Sequence, residues 1–310
     1  MFKKLLKNAE NNSINLDDLE KLYYLKDPLE LQNLYKTAEK IHKRNSNKIN
    51  YESNIYYPLI YLIEDNCPTC GYRTPVSRQK YTEEYIAKNI EYKLSDLPQY
   101  DIKGINCYNK DITGIRELLI ILNILNKYNL EINVRISNPT HLKELTKYDN
   151  INSIIYTPQL NNNFNRMNKI KDNEEIQLLK YIHENMDLNI IYNFIINYNE
   201  SHEDIIKLID KVNDYKIQSI EIKGFDPFID SPEEYNPQYS KENILKIISL
   251  LRIFLPKTEL KIQYASNGNN YLKEYTSYGI NTITGIYTPN MNGKLNNTQE
   301  IFKEWYLEKL

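Results

Sequence analysis

LNIIYNFIINYNESHEDIIKLIDKVNDYKIQSIEIKG, residues 188–224, is the stretch on which the fold is decided. It opens with a β-rich run, Leu188–Ile196, passes into a helical pattern over 201–214, and returns to a β-rich run at Ser219–Gly224. A strand, a helix and a second strand in that order make a crossover, and crossovers pair their strands in parallel. Outward from this unit the same alternation continues in both directions. Upstream, strands are expected at Tyr56–Ile63, Asp101–Cys107, Glu131–Ile136 and Ser153–Tyr156, and downstream at Leu260–Tyr264 and Thr282–Ile286. Helical patterns fall between them, near 82–95, 113–128, 139–147, 172–186, 240–254 and 270–278, with a last one near 298–309 carrying Phe302, Trp305 and Tyr306.

Eight strand–helix units over roughly 250 residues close naturally into a (βα)8 barrel, an α/β fold of TIM type. A doubly wound open sheet is the rival, but its Gly-rich first turn, G-x-G-x-x-G, is absent. Before the first strand, Leu16–Leu22 and Leu29–Arg44 read as helical, the second with apolar residues three and four apart after Pro28. The expected organisation is therefore a helical extension over 1–50 and one barrel domain over 51–310.

Bulk properties narrow the function classes. Hydrophobic residues make up 41% of the 310, enough for one large core. The net charge is -2 and no basic stripe advertises a nucleic-acid partner. The 28 Tyr against 7 Phe, with abundant Asn, Ile and Lys, read as genomic bias rather than a chemical requirement. Met1–Leu6 is too short an apolar start for a signal peptide, and no segment approaches the roughly 18 uninterrupted apolar residues of a membrane span. Three cysteines do not make a disulfide framework, so a reduced, cytoplasmic setting is expected.

Chemistry in such a barrel belongs at the C-terminal ends of the strands. The first strand runs into Glu64-Asp65-Asn66-Cys67-Pro68-Thr69-Cys70-Gly71-Tyr72-Arg73. A Cys-x2-Cys pair places two thiolates on one metal or cluster, and read alone it also fits a redox pair or half of a zinc site. Cys107, at the end of the second strand, would lie beside the cysteine loop in a barrel. It is either a third ligand or a small apolar residue at a strand end. Arg135, Asn193, Asn197, Lys223 and Gln263 close or follow later strands, where an inward cation suits a carboxylate. The four His are scattered and suggest no metal site.

The stretch from Lys36 to Arg73 resembles the entry to the biotin-synthase-like branch of the radical-SAM superfamily: a helical pair, a first strand and a cysteine loop ending in Cys-Gly-x-Arg. Thr82-Glu-Glu-Tyr-Ile, Ser201-His-Glu-Asp-Ile, Lys223-Gly-Phe-Asp-Pro, Leu251-Arg252 to Pro256 and Gly279-Ile-Asn-Thr-Ile-Thr-Gly285 resemble later family motifs in the same order. The family implies a [4Fe–4S] cluster held by three thiolates, reductive cleavage of S-adenosylmethionine, and hydrogen abstraction from a small substrate inside the barrel. It also implies a reducing electron donor. By this resemblance Cys67 and Cys70 are cluster ligands, with Cys107, Tyr61 or no residue as the third. Arg73, Asn106, Arg135, Asn197 and Lys223 are the cofactor-binding candidates. The family's C-x3-C-x2-C would put its first cysteine at Ile63. The longer C-x5-C-x2-C would put it at Tyr61, and that spacing is similar to the maturases proposed for the iron–guanylylpyridinol cofactor of [Fe]-hydrogenase. Gly104-Ile105-Asn106-Cys107 stands where the family carries Gly-Gly-Glu. Two functions follow as expectations: a radical-SAM enzyme of cofactor biosynthesis, or a barrel of the same shape that lacks the cluster and binds a small molecule or a partner.

Overall fold

The structure, a computed structural model, describes residues 2–46, 48–57, 82–95, 102–109, 115–136, 142–156, 172–196, 201–224, 240–263 and 271–285. Three helices come first, α1 (Phe2–Glu10), α2 (Asp17–Tyr23) and α3 (Pro28–Asn45). Strands and helices then alternate: β1 (Asn50–Tyr57), α4 (Glu83–Leu94), β2 (Gly104–Asn109), α5 (Ile115–Leu125), β3 (Glu131–Arg135), α6 (Leu142–Leu145), β4 (Ile151–Tyr156) and α7 (Asp172–Asn185). The second half adds β5 (Asn189–Ile196), α8 (His202–Asp214), β6 (Ser219–Gly224), α9 (Lys241–Phe254), β7 (Glu259–Gln263), α10 (Leu272–Tyr278) and β8 (Thr282–Thr284). The eight strands pair in sequence order, all in parallel, and β8 pairs with β1 to close the barrel. This is the expected (βα)8 architecture. The expected helix near 298–309 lies outside the described residues.

Local chemistry explains where the helices start. Asp27 caps α3, its carboxylate accepting from the amides of Leu29 and Glu30, and Pro28 fills the first helical position, where a missing N–H costs nothing. Ser201 and Asp204 open α8 with a reciprocal capping box. Arg252, buried at the end of α9, donates to the carbonyl oxygens of Gly279, Pro256 and Thr258 and to Asn281 Oδ1, tying that helix end to the turn before β8. Gly104 is required where β2 begins, because a Cβ there would sit 2.7 Å from the Glu131 carbonyl oxygen of β3.

Outward-facing strand residues build the main core. Ile105, Val134, Ile154, Phe194, Ile222 and Ile262 pack under the surrounding helices with Leu118, Ile121, Leu208 and Ile248. A second apolar cluster joins α1–α3 to the barrel, with Leu5, Leu34 and Ile41 against Leu250 and Ile253 of α9. No helix among the described residues is long and apolar enough to cross a membrane.

Two strands differ most from their expected bounds, and five others differ by one or two residues at an end. β6 matches, but β1 begins at Asn50 rather than Tyr56, and β2 runs from Gly104 to Asn109 rather than ending at Cys107. The cause is shared. Glu52, Asn54, Asn106 and Tyr108 are buried, and their hydrogen bonds reach other strands across the lumen, so these strands lack the apolar content that marks a strand in sequence.

Candidate active site

Barrels of this type ordinarily fill their lumen with layers of branched apolar side chains. Here the inward positions are mostly polar or charged. Side chains alternate across a strand, so a single inward contact orients the rest. Two linked clusters result. In the first, the Lys261 ammonium lies 2.6 Å from Glu52 Oε1, and both side chains are buried. Asn106 Nδ2 donates to Glu52 Oε2 and to Asn54 Oδ1, each at 3.0 Å, and Asn133 Nδ2 donates to Asn106 Oδ1 at 2.9 Å. Burial opposes the charge on Lys261, but Glu52 and Glu259 outweigh it and hold its pKa above the ordinary lysine value.

The second cluster centres on Glu221. Tyr108 Oη donates to both of its carboxylate oxygens, at 2.7 and 2.6 Å, and Thr284 Oγ1 donates at 2.7 Å. The Lys223 ammonium stands 3.7 Å from Glu221 Oε2 and 4.1 Å from the centre of the Tyr108 ring. Burial lowers the pKa of Lys223 from the ordinary lysine range; Glu221 pulls the other way and the charge of Arg135 adds to the lowering. Among the described residues, Asn54 Nδ2, Asn133 Oδ1 and Asn193 Oδ1 are buried without a hydrogen-bond partner. Buried polar atoms are nearly always satisfied, so these are unspent hydrogen-bonding groups on the lumen wall.

The sequence-derived candidates fall into four groups. Arg135 shares the inward face of β3 with Asn133, and Lys223 that of β6 with Glu221, so both face the lumen near its C-terminal mouth. Asn106 is also inward, but its amide is committed to Glu52, Asn54 and Asn133. Cys67, Cys70, Arg73, Asn197 and Tyr61 lie outside the described residues. Cys107 was expected either as a third ligand or as a small apolar residue at a strand end. Its neighbours Asn106 and Tyr108 point inward, so its thiol points outward into the apolar core with Ile105 and Val134. There it is fully buried, and burial pushes the thiol up to about 12. Among the described residues no three His, Cys, Asp or Glu side chains converge to hold a metal ion.

Glu52, Tyr108, Glu221 and Lys261 were not singled out from the sequence. The available signal was a charged residue set between isoleucines or leucines on a strand, as in Ile220-Glu221-Ile222-Lys223 and Leu260-Lys261-Ile262. In a closed barrel that alternation means an inward charge.

Two solved structures match this barrel along nearly its whole length. Methylornithine synthase (PylB) superposes with a TM-score of 0.75, at 16% identity, covering 91% of this chain and 86% of that one. The [FeFe]-hydrogenase maturase HydG from Carboxydothermus hydrogenoformans gives 0.77 at 15% identity, covering 99% and 78%. At these identities the likeness shows a shared fold, the closed (βα)8 barrel. In sequence, a biotin synthase from Clostridium tetani is 32% identical over 111 residues, 35% of this chain and 34% of that protein. An uncharacterized protein of Methanocaldococcus jannaschii, MJ0785, is 25% identical over 313 residues, spanning 95% of this chain and 83% of its own length. No protein-family model matches the sequence.

The resemblance read from the sequence implies S-adenosylmethionine and an iron–sulfur cluster. The described lumen fits the first: inward cations at the mouth suit a carboxylate, and the open amide atoms of Asn54 and Asn193 suit amino and hydroxyl groups. For the second, the described residues contribute no thiolate, since Cys107 faces away.

Proposed function

We propose that this chain is a radical-SAM-type enzyme acting on a small polar substrate held inside the barrel. The observation that carries this reading is the lumen itself. Glu52, Glu221 and Lys261 are buried and Lys223 is largely so; burying charge costs free energy, and a site that must bind and orient polar groups accounts for keeping it. The cysteine-bearing segment follows the C-terminal end of β1, the end of the barrel at which Lys223 and Arg135 stand. Cys67 and Cys70 would supply thiolates to the cluster, with Arg73 and Asn197 as further cofactor contacts from the sequence. Arg135 and Lys223 would meet a carboxylate of cofactor or substrate. When bound, the cluster and S-adenosylmethionine supply one-electron chemistry able to take a hydrogen atom from an unactivated carbon.

The chain's own residues do the rest. The Glu52–Lys261 pair and its asparagines set a rigid polar floor. Tyr108 and Thr284 orient the Glu221 carboxylate, the lumen's proton acceptor. The Cys67-x2-Cys70 spacing after Tyr61 supports a place in the biosynthesis of a pyridinol-type hydrogenase cofactor or a related molecule, in a reduced cytoplasmic setting with a reducing electron donor.

Anaerobic reconstitution with iron and sulfide tests this. Iron counting and low-temperature EPR should show a [4Fe–4S] signal that shifts on adding S-adenosylmethionine and is lost in Cys67→Ser and Cys70→Ser. Well-folded protein that binds no iron would favour the second reading, a cluster-free barrel that binds a small molecule. The outward placement of Cys107 and the Tyr at position 61 are the observations on its side.

A further inference from the structure

The lumen holds two lysines in opposite circumstances. Lys261 is locked 2.6 Å from Glu52 deep in the barrel, an ion pair that holds its proton firmly. Lys223 stands at the C-terminal end of β6, in the mouth where ligands enter. Among the described residues its nearest carboxylate oxygen is 3.7 Å away, too far for a tight hydrogen bond, and that carboxylate already accepts from Tyr108 and Thr284. Across from it Arg135 ends β3 on the inward face, a second cation for which no carboxylate partner stands among the described residues. An amine that is desolvated, beside another cation and within reach of a held carboxylate is the arrangement by which proteins make a lysine nucleophilic.

We propose that Lys223 captures the carbonyl group of a small oxo acid as a Schiff base, with Arg135 binding the acid's carboxylate and Glu221 carrying the protons. This goes beyond the radical reading and does not depend on it, since the step needs neither a cluster nor S-adenosylmethionine. The Lys223 nitrogen uses its lone pair to form a C–N bond to the carbonyl carbon, and the carbonyl π pair moves to oxygen. Glu221 takes one proton from nitrogen and delivers it to that oxygen, leaving a carbinolamine. It then carries the remaining N–H proton to the departing hydroxyl while the nitrogen pair forms the C=N bond. The two N–H protons and the carbonyl oxygen leave as one water, with no oxidant or reductant. Tyr108, hydrogen-bonded to both oxygens of Glu221, is a positioning residue. Burial and the charge of Arg135 lower the pKa of Lys223, which favours the neutral amine the attack requires.

The experiment is borohydride trapping on the full-length protein with pyruvate as the probe oxo acid, read by peptide mapping in a mass spectrometer. The expected product is a reduced pyruvate adduct on Lys223 in preference to exposed lysines, lost in Lys223→Arg. Acetone, which has the carbonyl and lacks the carboxylate, should be trapped less, and Arg135→Gln should erase the advantage of pyruvate. Mapping in the unmodified protein requires no variant to fold. Adducts spread over exposed lysines with Lys223 unlabelled would overturn the proposal, and equal trapping of acetone and pyruvate would overturn the role of Arg135. Iron content measured on the same reconstituted samples separates the two readings. Labelled Lys223 without bound iron keeps this inference and sinks the radical one, and bound iron without labelling does the reverse.

Discussion

Cys107 shows how much depends on which face of a strand a residue takes. Its place in sequence, at the end of a strand beside the cysteine loop, made it a reasonable ligand; a shift of one position along the strand separates the lumen from the apolar core. Its outward place predicts that Cys107→Ser leaves the iron content of reconstituted protein unchanged, whereas Cys67→Ser and Cys70→Ser lower it. The same substitution should lower stability by about 1–3 kcal/mol, because a hydroxyl replaces a thiol in a site with no hydrogen-bonding partner, and urea unfolding would measure it. At Glu52 the stakes are larger. Lys261→Met leaves that carboxylate buried without its cation, for an expected loss of about 3–5 kcal/mol. The pH dependence follows from the raised pKa of Lys261. Its stabilisation is complete below the unfolded lysine value of roughly 10.4 and is lost as pH rises through the higher folded value. Urea midpoints of wild type and variant should therefore lie furthest apart below that value and converge above it.

At the scale of elements, the junction of α3 with α9 carries the clearest titration. His42 on α3 is buried close to Arg252 of α9, and its Nδ1 has no partner among the described residues. Burial, then the charges of Arg252 and Lys43, push its pKa down to about 4. The unfolded chain therefore binds a proton that the folded chain refuses between about pH 6.5 and 4. Stability is full above that window and falls as pH drops through it. His42→Leu should flatten this acid-side loss, seen as a smaller change in urea midpoint across the window; an unchanged slope would show that His42 is not the group responsible. The strands teach a related lesson. Ser219–Gly224 was legible to the residue because outward isoleucines dominate it, whereas Asn50–Tyr57 was displaced because Glu52 and Asn54 face inward and dilute the apolar signal.

For the molecule as a whole, α1–α3 bury an apolar strip of α9 that the barrel alone would leave open. Deleting residues 2–46 should expose Leu250 and Ile253 and turn a well-behaved protein into one that self-associates on size-exclusion chromatography; a truncated chain that stays dispersed and equally stable would show the helices to be dispensable. The barrel's class, its parallel order and its cysteine pair could be read from the sequence, because alternation of strand and helix patterns and a short motif are local properties of the chain. The polar lumen could not. Glu52 meets Lys261, and Tyr108 meets Glu221, only when β8 closes on β1 and brings residues 209 and 113 positions apart into contact. Local pattern specifies which face of a strand is apolar; closure of the sheet decides that the other face is an interior rather than a surface, and with it where the chemistry can take place.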